Sequence, residues 1–175
     1  MKKEIYNRKT TRLKNYKYDT GVYFVTICTE DRKRVLASVV GTDVLDGPKK
    51  INVELLPYGK TADKIINQLN DFYDNIDVKA YVIMPDHIHI LLYIKESMDL
   101  GPSGTSVPTI QKSSLSWFVS TFKRFCNKEY GHNVWQKRSA DHIIRNREDY
   151  EEHVKYIHEN PLRWYYKERL RDKTK

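Results

Sequence analysis

The stretch VKAYVIMPDHIHILLYI, residues 78–94, decides how this chain folds on paper. Val78–Met84 is β-branched and aromatic, Pro85-Asp86 is tight-turn chemistry, and His87–Ile94 is a second apolar run. Together they read as two strands joined by a short connection. Strand side chains alternate between faces, so Ile88, Ile90, Leu92 and Ile94 share a core face while His87 and His89 stand side by side on the other. Two imidazoles so placed can reach one metal ion, and the same pattern also fits the polar face of a half-buried strand. A metal site needs a third ligand, and chemistry needs a reacting group, both from elsewhere in the chain.

Outward from this pair, Gly21–Thr29 (GVYFVTICT) is β-branched and aromatic throughout and predicts another strand. Residues 41–50 (GTDVLDGPKK) are turn chemistry, followed by a short strand at Ile51–Leu55. From Thr61, the apolar residues Ile65, Ile66, Leu69, Phe72 and Tyr73 recur on one helical face. The Gly/Pro/Ser/Thr-rich GPSGTSVPT (101–109) is a loop. A second amphipathic helix follows, with Leu115, Phe118, Val119, Phe122 and Phe125 on one face. Ile143-Ile144 suits an edge strand, and Asn146 suits the N-cap of a last helix with Glu148 and Asp149 in its first turn. Pro161 is expected to limit or kink that helix. The order strand–helix–strand–strand–helix–strand–helix predicts an α+β, ferredoxin-like (RRM-like) antiparallel sheet with helices mainly on one face. The 175 residues read as a single domain with basic extensions at 1–19 and 161–175.

A hydrophobic content of 39% supports a real core and excludes a disordered tail. No run approaches the roughly 18 apolar residues of a membrane span. The basic N-terminus has no apolar stretch behind it, so no secretory signal is expected and the expected compartment is the cytoplasm. Cys28 and Cys126 are far apart and form no CxxC, which points away from a disulfide framework or a thiolate zinc site. The net charge of +8 is concentrated at the ends. Residues 1–19 hold seven Lys/Arg against two acids, and residues 161–175 hold six against two. Tyr6, Tyr16 and Tyr18 lie in one end, Trp164, Tyr165 and Tyr166 in the other. Cations for phosphates and aromatic faces for unpaired bases fit a nucleic acid, although charged ends also serve solubility alone.

The last helix offers the missing groups. At 100° per residue, His153, Tyr156 and Asn160 fall within one patch beside Tyr150, Val154 and Ile157. A phenol, an amide and an imidazole are thereby presented together toward the histidine face of the sheet. Periodicity equally allows Tyr156 as a core-edge residue and Asn160 as a cap before Pro161.

Tyr81-Val82-Ile83-Met84-Pro85-Asp86-His87-Ile88-His89-Ile90-Leu91-Leu92 resembles the signature strand pair of single-tyrosine HUH transposases, the IS200-like family. Val134-Trp135-Gln136, then Asp141-His142-Ile143-Ile144-Arg145-Asn146, then Tyr156-Ile157-His158-Glu159-Asn160-Pro161 resemble its REP-associated tyrosine transposase branch. The matches occur in the family's order across residues 22–163. The resemblance implies a DNA-nicking and strand-transferring enzyme acting on single-stranded DNA, often beside a hairpin. It carries metal-ligand roles onto His87 and His89, the nucleophile onto Tyr156 and a third-ligand role onto Asn160, with Mg2+ or Mn2+ as the ion. Tyrosine attack would leave a 5′-phosphotyrosine and a free 3′-OH. A monomer acting in cis is favoured over a homodimer.

Further candidates are His153 and His158, behind the metal ligands or against phosphate, and the cations Arg12, Lys14, Lys17, Arg32, Arg34, Arg145 and Arg163 as DNA contacts. The bland readings of these residues are structural histidines and a solvated charged surface. Two other functions compete. One is a catalytically silent DNA- or RNA-hairpin binder using the same sheet and basic ends. The other is a metal hydrolase in which water attacks.

Overall fold

Strand β1 (Gly21–Cys28) alternates Tyr23, Val25 and Ile27 with Phe24 and Thr26, and each set faces a different layer of the molecule. In the computed structural model, which describes residues 20–41, 50–95 and 114–172, β1 lies inside a four-stranded antiparallel sheet. Its neighbours are β5 (His87–Ile94) and β6 (Ala140–Ile144), and β4 (Ile76–Ile83) closes the far edge, in the order β4-β5-β1-β6. Between β1 and the first helix the chain inserts a hairpin of β2 (Ala37–Gly41) and β3 (Ile51–Leu55). With that hairpin set aside, strand order and helix placement are those of a ferredoxin-like sheet, as the sequence predicts.

Helices α1 (Pro57–Phe72) and α2 (Ser114–Tyr130) cover one face. Ile65, Ile66 and Leu69 of α1 and Leu115, Phe118, Val119 and Phe122 of α2 bury against Tyr23, Val25, Ile27 and the β5 isoleucines. Trp135 is fully enclosed there against Phe122, which favours an anchoring role for it. Phe125, expected on the same buried face, is instead 40% exposed, beside Phe72 and Trp117 in a groove between α1 and α2. Cys28 and Cys126 are free and buried.

The third helix, α3 (Arg147–Asp172), lies across the opposite face, the one that carries the histidines. Asn146 Oδ1 accepts from the Asp149 N–H at 2.8 Å, so the predicted cap holds. Tyr150, Val154, Tyr156 and Ile157 pack over Phe24, Leu91, Val22, Ala80, Val82 and Ile144 in a second, smaller core. Pro161 does not end the helix, which continues through it to Asp172. Packing offsets the backbone bond that proline removes: Tyr165, one turn beyond, sits against Gly41 of the hairpin, where a Cβ would come within 2.5 Å of its ring. Residues 161–172 thus form the second half of α3. Arg12, Lys14 and Lys17 and the loops at 42–49 and 101–109 lie outside the described residues. No described helix is long and apolar enough to cross a membrane.

Candidate active site

Register places the chemistry. β5 pairs with β1 so that His89 lies opposite Thr26 and His87 opposite Cys28, and Val82 of β4 flanks His89 on its other side. A cross-strand partner stands directly beside its mate, and here Thr26 Oγ1 and His89 Nδ1 share a hydrogen bond of 2.9 Å. His87 Nδ1 is hydrogen-bonded to the Asp86 carboxylate. With that carboxylate as acceptor, the His87 ring proton belongs on Nδ1 and its Nε2 lone pair is left free; the Thr26 hydroxyl can accept from or donate to His89 Nδ1. The two rings are 4.6 Å apart.

His89 Nε2 is buried without a hydrogen-bond partner. A buried polar atom without a partner is costly, and such groups call for an explanation. Burial first, then the neighbouring His87 and Arg32, push the His89 imidazole down to about 3, so it is neutral across the physiological range. Burial alone would raise the Asp86 carboxyl. The hydrogen bond from His87, with Arg32 and Arg34, outweighs burial and holds it below the usual range.

Helix α3 brings its predicted patch onto these rings. The Tyr156 ring lies 5.2 Å from His89 and 5.9 Å from Phe24, which itself stacks on His89 at 4.9 Å. One turn on, Asn160 is 5% exposed and lines the same cleft as His87 and Tyr156. Two imidazoles, one with an orphaned nitrogen, and a buried amide form a donor set that fits a divalent ion with open positions.

The cleft encloses about 430 Å³ and is walled by Arg32, Arg34, Arg163, Lys167 and Arg171 against the acids Asp86 and Glu168. The Arg163 guanidinium sits 5.4 Å above the Tyr156 ring, and Arg34 sits 5.4 Å from Trp164, whose indole is 5.9 Å from His87. Arg34 also pairs with Glu168 at 2.6 Å. Asp31 and Arg32 both adopt positive φ in the turn after β1, a costly conformation for non-glycine residues, and Arg32 thereby comes within 3.6 Å of Asp86.

The remaining candidates are dispersed. Arg145 stands at the end of β6 outside the cleft, its backbone N–H donating to Asp149. His158 is exposed and does not line the cleft. His153 touches Phe24 at 4.6 Å and is separated from His89 by that ring. Thr26, Asp86 and Phe24 escaped the sequence reading. Asp86 carried a signal, a carboxylate adjoining a candidate ligand histidine. Thr26 and Phe24 become neighbours of His89 only through strand register.

Comparison with known proteins bears on the family and the fold. Residues 18–160 match the family described as "Transposase IS200 like". The chain is 27% identical over 176 residues to an uncharacterized protein of Haemophilus influenzae, covering 91% of each. It is 30% identical over 92 residues to the REP-associated tyrosine transposase of Escherichia coli, covering 50% of this chain and 45% of that one. Its fold is similar to that of a solved REP-associated tyrosine transposase bound to a REP hairpin, with a TM-score of 0.59 and 21% identity over 87% of this chain and 73% of the other. With a match across most of its length and this α+β sheet, the chain belongs to the IS200-like transposase family and has a transposase-like role in DNA processing.

Proposed function

We propose that this chain is a metal-dependent single-strand DNA endonuclease and strand transferase that uses Tyr156 as its nucleophile, at sites beside DNA hairpins. The observation that carries the reading is the approach of the Tyr156 ring to 5.2 Å from His89, whose Nε2 is buried and unpartnered, at the wall of a cationic cleft.

His87 and His89, with Asn160, would hold Mg2+ or Mn2+. Such an ion polarises a scissile phosphate and stabilises the negative charge that builds in the transition state. The Asp86 carboxylate holds the His87 imidazole with its proton on Nδ1, and Thr26 holds the His89 ring through its Nδ1, so that a ligand role falls to Nε2 on both rings. The cleft cations would offset the charge of the approaching strand, and Arg163, 5.4 Å from the Tyr156 ring, would contact the phosphate that Tyr156 attacks. Tyr156 Oη attacks phosphorus in line and loses its phenolic proton to solvent, and the 3′-oxygen leaves with its electron pair and takes up a proton from solvent. The products are a 5′-phosphotyrosine and a free 3′-OH. Because the phosphotyrosine conserves the phosphodiester, a second 3′-OH can reverse the step and join a new strand. Tyr156 and the histidines belong to one chain and meet without a partner, which supports action in cis by a monomer.

The test is Tyr156→Phe, assayed on single-stranded and hairpin-flanked oligonucleotides with Mn2+. Cleavage is expected to fall to background while DNA affinity stays within about twofold. Cleavage at the wild-type rate would remove Tyr156 from the mechanism. A wild-type protein that binds hairpins and never cuts would favour the silent binder.

A further inference from the structure

Away from the cleft, at the other end of the α3 docking surface, His142, Asp149 and His153 converge. They are one group of three among the described residues whose ligand atoms all lie within 4.8 Å of one another. β6 pairs with β1 so that His142 stands opposite Phe24, on the face that α3 covers. Asp149 and His153 are four residues apart on α3, one turn, so both reach the same point beside β6. His142 Nε2 lies 3.0 Å from each Asp149 carboxylate oxygen, and His153 Nδ1 lies 3.0 Å from Oδ1. The two imidazoles stack 4.7 Å apart.

We propose that His142, Asp149 and His153 form a second divalent-metal site, selective for Zn2+-class ions, that fastens the start of the tyrosine helix to the edge of the sheet. The geometry is close to what such an ion requires. Bonds of about 2.0–2.1 Å in a tetrahedron place neighbouring ligand atoms about 3.3 Å apart; the two histidine–carboxylate distances of 3.0 Å are near that spacing, and all three ligand atoms lie within 4.8 Å of one another. Two imidazole nitrogens and one carboxylate are a Zn2+ donor set, and an Mg2+ ion would demand more oxygen. His142 is half exposed, which leaves the fourth position open to water. The Arg145 N–H, donating 3.1 Å to Asp149 Oδ2, holds the carboxylate in orientation as outer partners of metal ligands do. On binding, the ion takes the ring nitrogens that now face Asp149, each imidazole carries its N–H on the other nitrogen, and His153 Nδ1 gives up its 2.8 Å hydrogen bond with the Asp149 carbonyl.

The consequence reaches the cleft through a short path. His153 packs on Phe24, Phe24 stacks on His89, and Tyr156 is three residues beyond His153 on the same helix. Fastening α3 at Asp149 and His153 restricts how the Tyr156 turn sits over the histidine face. The inference does not depend on the proposed catalysis, because it concerns an ion that His87 and His89 do not touch.

Two measurements test it on the full-length protein: Zn2+ retained after dialysis, and the visible absorption of bound Co2+. Both use wild type, His87→Asn, His142→Gln and Asp149→Asn. His87→Asn is expected to keep the ion at the second site. His142→Gln and Asp149→Asn are each expected to lose one equivalent, with Zn2+ affinity at that site falling by about 100-fold or more, at least the upper cost of losing an outer partner. In the His87→Asn background, Zn2+ at 100 times its Kd should raise Tm by about 5–10 °C, and adding His142→Gln should abolish the rise. Retention of Zn2+ and of the Co2+ spectrum by both His142→Gln and Asp149→Asn would overturn the proposal and leave the three residues as a hydrogen-bonded staple. Loss of the ion in His87→Asn alone would do the same and assign it to the cleft.

Discussion

His89 should make the stability of this protein depend on pH across a window that can be calculated. His89 is 6% exposed, and burial first, with His87 and Arg32 adding to it, drives its pKa to about 3, against an ordinary value of 6.5. A histidine depressed in the folded state is neutral there while the unfolded chain takes up a proton. Acidification therefore favours unfolding, starting near pH 6.5 and continuing down towards pH 3. The loss attributable to this one ring is about 0.2 kcal/mol at pH 7, about 0.8 kcal/mol at pH 6 and about 2 kcal/mol at pH 5. The depressed carboxyls Asp86, Asp149 and Glu159 contribute in the same direction, but only below the ordinary carboxylate range, so they leave pH 5–7 largely to histidine. The assay is urea unfolding of metal-free wild type and His89→Asn at pH 7, 6 and 5. Asparagine does not titrate, so the stability gap between the two proteins should close by about 2 kcal/mol from pH 7 to pH 5. Expressed as melting temperature, that closure is about 4–8 °C. Parallel pH profiles would show that His89 takes up protons normally when folded, and the argument for a dry, neutral Nε2 facing an ion would fail.

Two other outcomes follow from the cleft. Asp86→Ala removes the acceptor that fixes the His87 tautomer, and Mn2+ affinity by titration calorimetry should drop by about 10–100-fold, with Asp86→Asn recovering part of it. Lys167→Ala removes a cation from the cleft wall. The salt dependence of single-stranded DNA binding, measured by fluorescence anisotropy, should flatten by about 0.7 in its log–log slope, with little change in sequence preference.

Much of this was legible in the sequence because it is periodic. The alternation along His87–Ile94 assigned the two faces of β5, and the spacing of Tyr150, Val154 and Ile157 assigned the buried face of α3. β2 was missed: its five residues carry weak alternation, and it forms only by pairing with β3. For α3 the sequence left open whether Pro161 limits or kinks the helix, since the packing that accompanies its continuation to Asp172 is against a hairpin far away in sequence. At the site, His87, His89, Tyr156 and Asn160 were named from motif and helical phase, and the structure gathers all four. Thr26, Phe24 and the grouping of His142 with Asp149 and His153 depend on the register of β1 with its neighbours, and one-dimensional spacing does not carry that information.

The most direct measurement of the central claim is mass spectrometry of the denaturation-resistant product formed when the wild-type protein cuts a single-stranded oligonucleotide with Mn2+. The account predicts a DNA fragment joined through its 5′-phosphate to the peptide bearing Tyr156, with a free 3′-OH on the released strand. Cleavage that leaves no protein–DNA adduct, or an adduct on any other residue, would contradict it.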